Sequence, residues 1–110
     1  MKKVALAILL AATPAFAHAR LNASDPKANA SVKAPRQINL TFSEKLEPAF
    51  SSATLTDAAG KTVPVSKSVA ATTITLLPLM LKPGTYKVSW HSVGQDTHRL
   101  SGSFSFKVIK

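Results

Sequence analysis

The sequence predicts an all-β fold, a two-sheet antiparallel Greek-key sandwich or barrel of about seven short strands. Three observations carry that expectation. First, three runs alternate apolar and polar residues with period two: Ile38-Leu40-Phe42, Tyr86-Val88-Trp90 and Phe104-Phe106-Val108. Second, turn-forming groups separate the runs, at Asp25-Pro26, Asp57 to Lys61 and Pro83-Gly84. Third, no segment after residue 17 carries the apolar repeat of a packed helix.

Taken in order, residues 19–24 alternate weakly and read as a short first strand ended by Asp25-Pro26. Residues 27–35 are small, polar and interrupted, which reads as a loop. Residues 38–42 form a strand with one buried face, and residues 43–48 turn the corner. Phe50, Ala53 and Leu55 belong to a third strand whose spacing slips. Gly60 closes the following hairpin, where a positive φ is needed. Thr62 to Val65 is a short edge strand, since Pro64 lacks the N–H a central strand requires. Thr72 to Leu77 is rich in β-branched residues and forms a fifth strand ended by Pro78. Pro83-Gly84 reads as a type II turn pair. Tyr86 just beyond it can return its hydroxyl to loop backbone, as in immunoglobulin-like sandwiches. The expected core is Leu40, Phe42, Leu55, Leu76, Tyr86, Val88, Trp90, Phe104 and Phe106.

Residues 1–17 follow the pattern of a cleaved signal peptide. Lys2 and Lys3 precede nine apolar residues, Val4 to Ala12, and Ala15-x-Ala17 supplies the small residues a signal peptidase requires. Nine residues cannot cross a hydrocarbon core roughly 30 Å thick, so the run is not a membrane anchor. The expected organisation is signal 1–17 and one domain, 18–110, exported to the periplasm. The chain has no Cys, which excludes disulfides and a lipid-modified cysteine.

The formal charge is +9 over 110 residues; without Lys2 and Lys3 twelve Lys and Arg face five acids. The cations are scattered singly, with no Arg-rich run and no interleaved aromatic platform, which argues against a nucleic-acid partner.

Cleavage after Ala17 would give His18 a free α-amino group beside its imidazole, two nitrogens able to chelate one ion. Asp96 and His98 are separated by one residue; in an extended segment both would point to one side. An amine, two imidazoles and a carboxylate suit the tetragonal geometry of Cu(II), which also heads the affinity order for such donors. His91 follows Trp90 in its strand and is expected on the surface, with a lesser role as accessory ligand.

These blocks together resemble the CopC family of small bacterial periplasmic copper-binding proteins. The resemblance spans His18, Asp25-Pro26, residues 40–44 (Leu-Thr-Phe-Ser-Glu), residues 83–90 (Pro-Gly-Thr-Tyr-Lys-Val-Ser-Trp), Asp96-Thr97-His98 and residues 102–106 (Gly-Ser-Phe-Ser-Phe). It implies a cupredoxin-like sandwich holding one Cu(II) per chain. By the same resemblance His18 supplies its amine and Nδ1, Asp96 an oxygen and His98 a ring nitrogen. Glu44 would stand behind the ligands as a hydrogen-bond acceptor. Some members also carry a Met-rich Cu(I) segment. Here Met80 is the only Met after residue 17, and its Leu neighbours place it in the core.

The implied function is sequestration or carriage of Cu(II) by a monomer in copper homeostasis or resistance, with a membrane copper transporter as partner and no enzymatic activity. Two other classes fit parts of the pattern. A copper-dependent oxidase of the histidine-brace type, as in lytic polysaccharide monooxygenases, shares the terminal His. A metal-free adhesion or interaction sandwich shares the fold.

Overall fold

The computed structural model describes residues 18–110, so the signal segment 1–17 lies outside the described residues. Among the described residues nine strands form two sheets that face each other. One sheet contains β1 (Leu21–Asp25), β3 (Ile38–Phe42), β7 (Thr73–Pro78) and β6 (Val65–Ala70), in the order β1-β3-β7-β6. The other contains β2 (Ser31–Lys33), β9 (Arg99–Ile109), β8 (Gly84–Val93), β4 (Ser52–Asp57) and β5 (Thr62–Val63), in the order β2-β9-β8-β4-β5. Every pair is antiparallel except β2 with β9.

The period-two alternation fills the space between the sheets. Ile38, Leu40 and Phe42 point inward from β3, and Ile74 and Leu76 from β7. Ala53 and Leu55 meet them from β4, Tyr86 and Val88 from β8, Phe106 and Val108 from β9. Burial of each large aliphatic or aromatic side chain contributes about 1.5–3 kcal/mol. Tyr86 stacks on Phe106 at 5.9 Å between ring centres. Its hydroxyl donates to the Lys82 carbonyl at 2.7 Å, so the expected tyrosine corner is present. Trp90 meets Phe42 edge-on at 5.2 Å and lies over Gly102, where a Cβ would sit 2.7 Å from the indole. Trp90 and Phe104 pack against the core but remain partly exposed.

Several expectations are corrected. The loop at 27–35 contains β2, too short to show alternation, which joins β9 in parallel. Phe50 is not in the third strand: Pro48–Phe50 is a 3-10 turn, and Phe50 is 64% exposed. That turn is why the apolar spacing slips ahead of Ala53. The strand expected at Thr62 to Val65 is split at Pro64, with β5 ending in one sheet and β6 starting in the other. Gly84 is already the first residue of β8, and its φ of 151° is not that of a type II turn. Met80 is not in the core. Pro78 ends β7, the segment beyond it leaves the sheet, and only Leu81 turns back in, leaving Leu79 and Met80 at 79% and 88% exposure.

Candidate metal centre

The alternation that builds β8 runs past Trp90 to Ser92, which is fully buried on the inward face. A buried hydroxyl needs a partner. Ser92 Oγ donates to the Ala19 carbonyl at 2.6 Å and so ties residue 19 to the end of the sandwich. On the other side Ser43, directly after β3, donates its hydroxyl to the His18 carbonyl at 3.0 Å and accepts the Arg20 N–H at 2.9 Å. The Ser43 N–H donates to the Arg20 carbonyl at 2.8 Å. Residues 18–20 are therefore a strap clamped between the ends of β3 and β8.

The last residue of β8 is held as firmly. The Glu47 N–H donates to the Val93 carbonyl at 2.8 Å, the Val93 N–H donates to Ser51 Oγ at 3.0 Å, and Leu46 bridges Gly94. Beyond Gly94 the chain turns, and the Thr97 N–H returns to the Gly94 carbonyl at 3.0 Å. Thr97 has φ of 68°, left-handed and unusual for a β-branched residue. The Asp96–His98 segment is thus not extended, correcting the premise on which its side chains were expected to share a side. The turn brings them together by a different route: Asp96 Oδ1 accepts the His98 N–H at 3.0 Å.

Asp96 Oδ2 is the centre of the cluster. His18 Nδ1 lies 2.9 Å from it and His98 Nδ1 3.2 Å. The two imidazoles meet edge to face, 4.9 Å between centres. Ligand atoms of His18, Asp96 and His98 all lie within 4.8 Å of one another. Ring nitrogens and carboxylate oxygens bound at roughly 2.0–2.1 Å sit about 2.9 Å apart when cis on one ion. The two separations from Asp96 Oδ2 are hydrogen-bond lengths close to that spacing, so the three side chains are a group that could hold one ion. His18 is one-third exposed, Asp96 one-fifth and His98 two-thirds, which leaves the cluster open to solvent.

Withdrawal from water pushes the Asp96 carboxyl up. The hydrogen bond from His18 and those from the His98 backbone and ring, with the His98 charge, outweigh it and hold Asp96 below the ordinary carboxylate value. Asp96 is therefore an anion at neutral pH, ready to accept either a proton donor or a cation.

Glu44 is half-buried in the turn after β3 and is not one of the three residues brought together. His91 lies on β8 opposite Ser52 and Ser101, outside the cluster. Partial burial, then the charges of Arg99 and Lys67, lower its basicity. Ser43, Ser51, Ser92 and Thr97 were not anticipated. Of these only Ser92 carried a signal, as a polar residue on an otherwise apolar face.

Residues 21–109 match the family model described as the CopC domain, which takes in Asp96 and His98 but begins after His18. Copper resistance protein C of Xanthomonas campestris pv. juglandis is 43% identical, over 96% of this chain and 91% of that protein. Protein YobA of Escherichia coli K12 is 42% identical, over 96% and 93%. Among solved structures, PcoC, a methionine-rich copper resistance protein from Escherichia coli, superposes with a TM-score of 0.79 at 35% identity, over 84% of this chain and all of that one. CopC from Methylosinus trichosporium OB3b gives 0.77 at 30% identity, over 83% and 93%.

Proposed function

This chain belongs to the CopC family, and on that premise we propose that it is a periplasmic Cu(II)-binding protein. It sequesters or carries one copper ion per chain, as a monomer, in copper homeostasis or resistance. The observation that carries this reading is the convergence of His18, Asp96 and His98, with ligand atoms within 4.8 Å.

Copper is the cargo. His18 binds it through Nδ1 and, once residues 1–17 are removed, through its α-amine; Asp96 adds an oxygen and His98 a ring nitrogen. Nitrogen and oxygen donors without a thioether favour Cu(II) over Cu(I). The amine and both imidazoles bind only with a free lone pair on the coordinating nitrogen, so acid, which protonates them, weakens capture. Ser43 holds the His18 carbonyl, which sets the direction of the strap. Glu44, the next residue, accepts a hydrogen bond from the amine. Asp96 fills a coordination position that oxygen-activating chemistry would need open, which favours capture over catalysis. The ion passes to or from a membrane copper transporter.

Mass spectrometry of the exported protein, with and without Cu(II), tests this directly. The expected masses are those of a chain starting at His18, and of the same chain plus one copper. A variant carrying one extra Ala ahead of His18 should lose about 100-fold or more in affinity, roughly 2.8 kcal/mol. Equal affinity in that variant removes the amine from the ligand set.

A further inference from the structure

The end of the sandwich opposite the metal cluster carries the two most exposed large apolar side chains among the described residues. Leu79 and Met80 stand 79% and 88% exposed on the segment between β7 and β8, with Leu77 at 46% and Ile109 at 41%. Side chains this exposed project beyond the surface. Two shallow hollows flank Leu79. One is lined by Ala34, Pro35, Arg36, Pro78 and Met80, the other by Pro64, Val65, Ser66 and Leu77.

The charged side chains nearest the hollows are cations. Arg36 lines the first hollow, and Lys82 is two residues from Met80. Lys33 pairs with Ile109, next to Lys110, and Gly84 at the base of the segment pairs with Val108. All four cations are exposed. No acid lines either hollow. Asp57, on the β4–β5 hairpin, spends its carboxylate on the Ala59 and Lys61 N–H groups. Asp25 ends β1, opposite Asn39. The other three acids, Glu44, Glu47 and Asp96, belong to the metal end.

We propose that this tip docks on an anionic phospholipid surface. Leu79 and Met80 enter the headgroup–acyl boundary, to a depth of about 5–10 Å, as interfacial apolar groups do. Lys33, Arg36, Lys82 and Lys110 meet the lipid phosphates, each strengthening binding by about fivefold. Projecting apolar groups suit a deformable lipid surface, and the four exposed cations select an anionic one. β8 runs from this tip toward the cluster, and its ten residues span about 30 Å. A docked molecule would hold His18, Asp96 and His98 away from the bilayer, facing the aqueous side. The proposal concerns surface chemistry remote from the metal ligands and is independent of the copper reading.

Co-sedimentation of the exported protein with vesicles of phosphatidylglycerol, and separately of phosphatidylcholine, tests it. Binding to phosphatidylglycerol, weakened by salt and absent on phosphatidylcholine, is expected. The double variant Leu79→Ser/Met80→Ser should bind at least about tenfold less. Arg36→Gln/Lys82→Gln should also lose about tenfold or more. Both pairs are exposed, so unchanged thermal unfolding verifies that each variant is folded. No binding to phosphatidylglycerol, or equal binding by Leu79→Ser/Met80→Ser, overturns the proposal. Self-association of the parent protein that Leu79→Ser/Met80→Ser abolishes, without lipid binding, replaces the membrane with a second copy of the chain.

Discussion

The interior of the sandwich and its metal end are held together in different ways. The interior rests on redundancy: fourteen buried apolar residues share the work, and each touches several others. The metal end rests on a few polar contacts. One serine hydroxyl fixes His18, another fixes Ala19, and one carboxylate oxygen receives both imidazoles. Apolar packing therefore decides whether the molecule folds, while a handful of polar contacts decides whether three ligands meet.

The sharpest way to separate the two is a pair of reciprocal substitutions. Leu40→Ala empties a fully buried position on β3 and should cost about 2–5 kcal/mol in urea unfolding. Its folded fraction should still bind one Cu(II), because Leu40 touches none of the cluster's hydrogen bonds. His98→Ala should do the converse. His98 is two-thirds exposed, so stability should change little, while Cu(II) affinity measured by chelator competition falls about 100-fold, near 2.8 kcal/mol. A large loss of stability in His98→Ala would break the distinction.

A smaller effect probes the seam between the regions. Ser92 is part of the buried interior, yet its bond goes to the strap. Ser92→Ala leaves the Ala19 carbonyl without its donor and should cost about 1–3 kcal/mol of stability. Ser43→Ala, on the exposed side, should be nearly silent in unfolding but lower copper affinity about tenfold, as loss of a ligand-orienting contact does. Ser43→Thr, which keeps the hydroxyl, should restore it.

The smallest effect is in acid. His91 has lowered basicity, so the folded state resists its protonation. The unfolded chain binds that proton first, and stability of the metal-free protein should fall as pH drops below the ordinary His value of about 6.5. His91→Gln should flatten that step. Asp96 is lowered too, so its step has the same sign at lower pH. Its depressed pKa contributes stability above the ordinary carboxylate value of about 3.9, lost as pH falls through the lower folded value. Asp96→Asn should remove the second step and leave the first.

The same division explains what could be read before the structure. Alternation is a property of long strands with one buried face, and β3, β8 and β9 were legible for that reason, β7 through its β-branched residues. β2 has three residues and β5 two, too few to show a period; β5 was readable only through the hairpin that joins it to β4, and β2 pairs with β9, distant in the chain. Pro64 was readable as a residue unfit for a central strand. Nothing local says that the chain changes sheets there. Met80 was misplaced because its Leu neighbours imitate a core segment, although Pro78 had already ended the strand. At the cluster, the residue types of His18, Asp96 and His98 were visible, but the route joining them was not. A left-handed Thr97 is imposed by the turn from Gly94, against its intrinsic preference. Ser43 looked like an ordinary turn residue, because a hydroxyl that holds a carbonyl 25 positions away leaves no local mark.

His18 and Asp96 stand 78 positions apart. A polypeptide that emerges amino end first presents one imidazole early and the remaining two ligands only when nearly complete. The cluster is thus among the last things the chain can assemble, after the β8–β9 hairpin has closed. A half-threaded or truncated copy holds a lone histidine with nothing to complete its grip. On the proposed ligand set, the order of these residues along the chain would confine loading to finished molecules, with no separate checkpoint required.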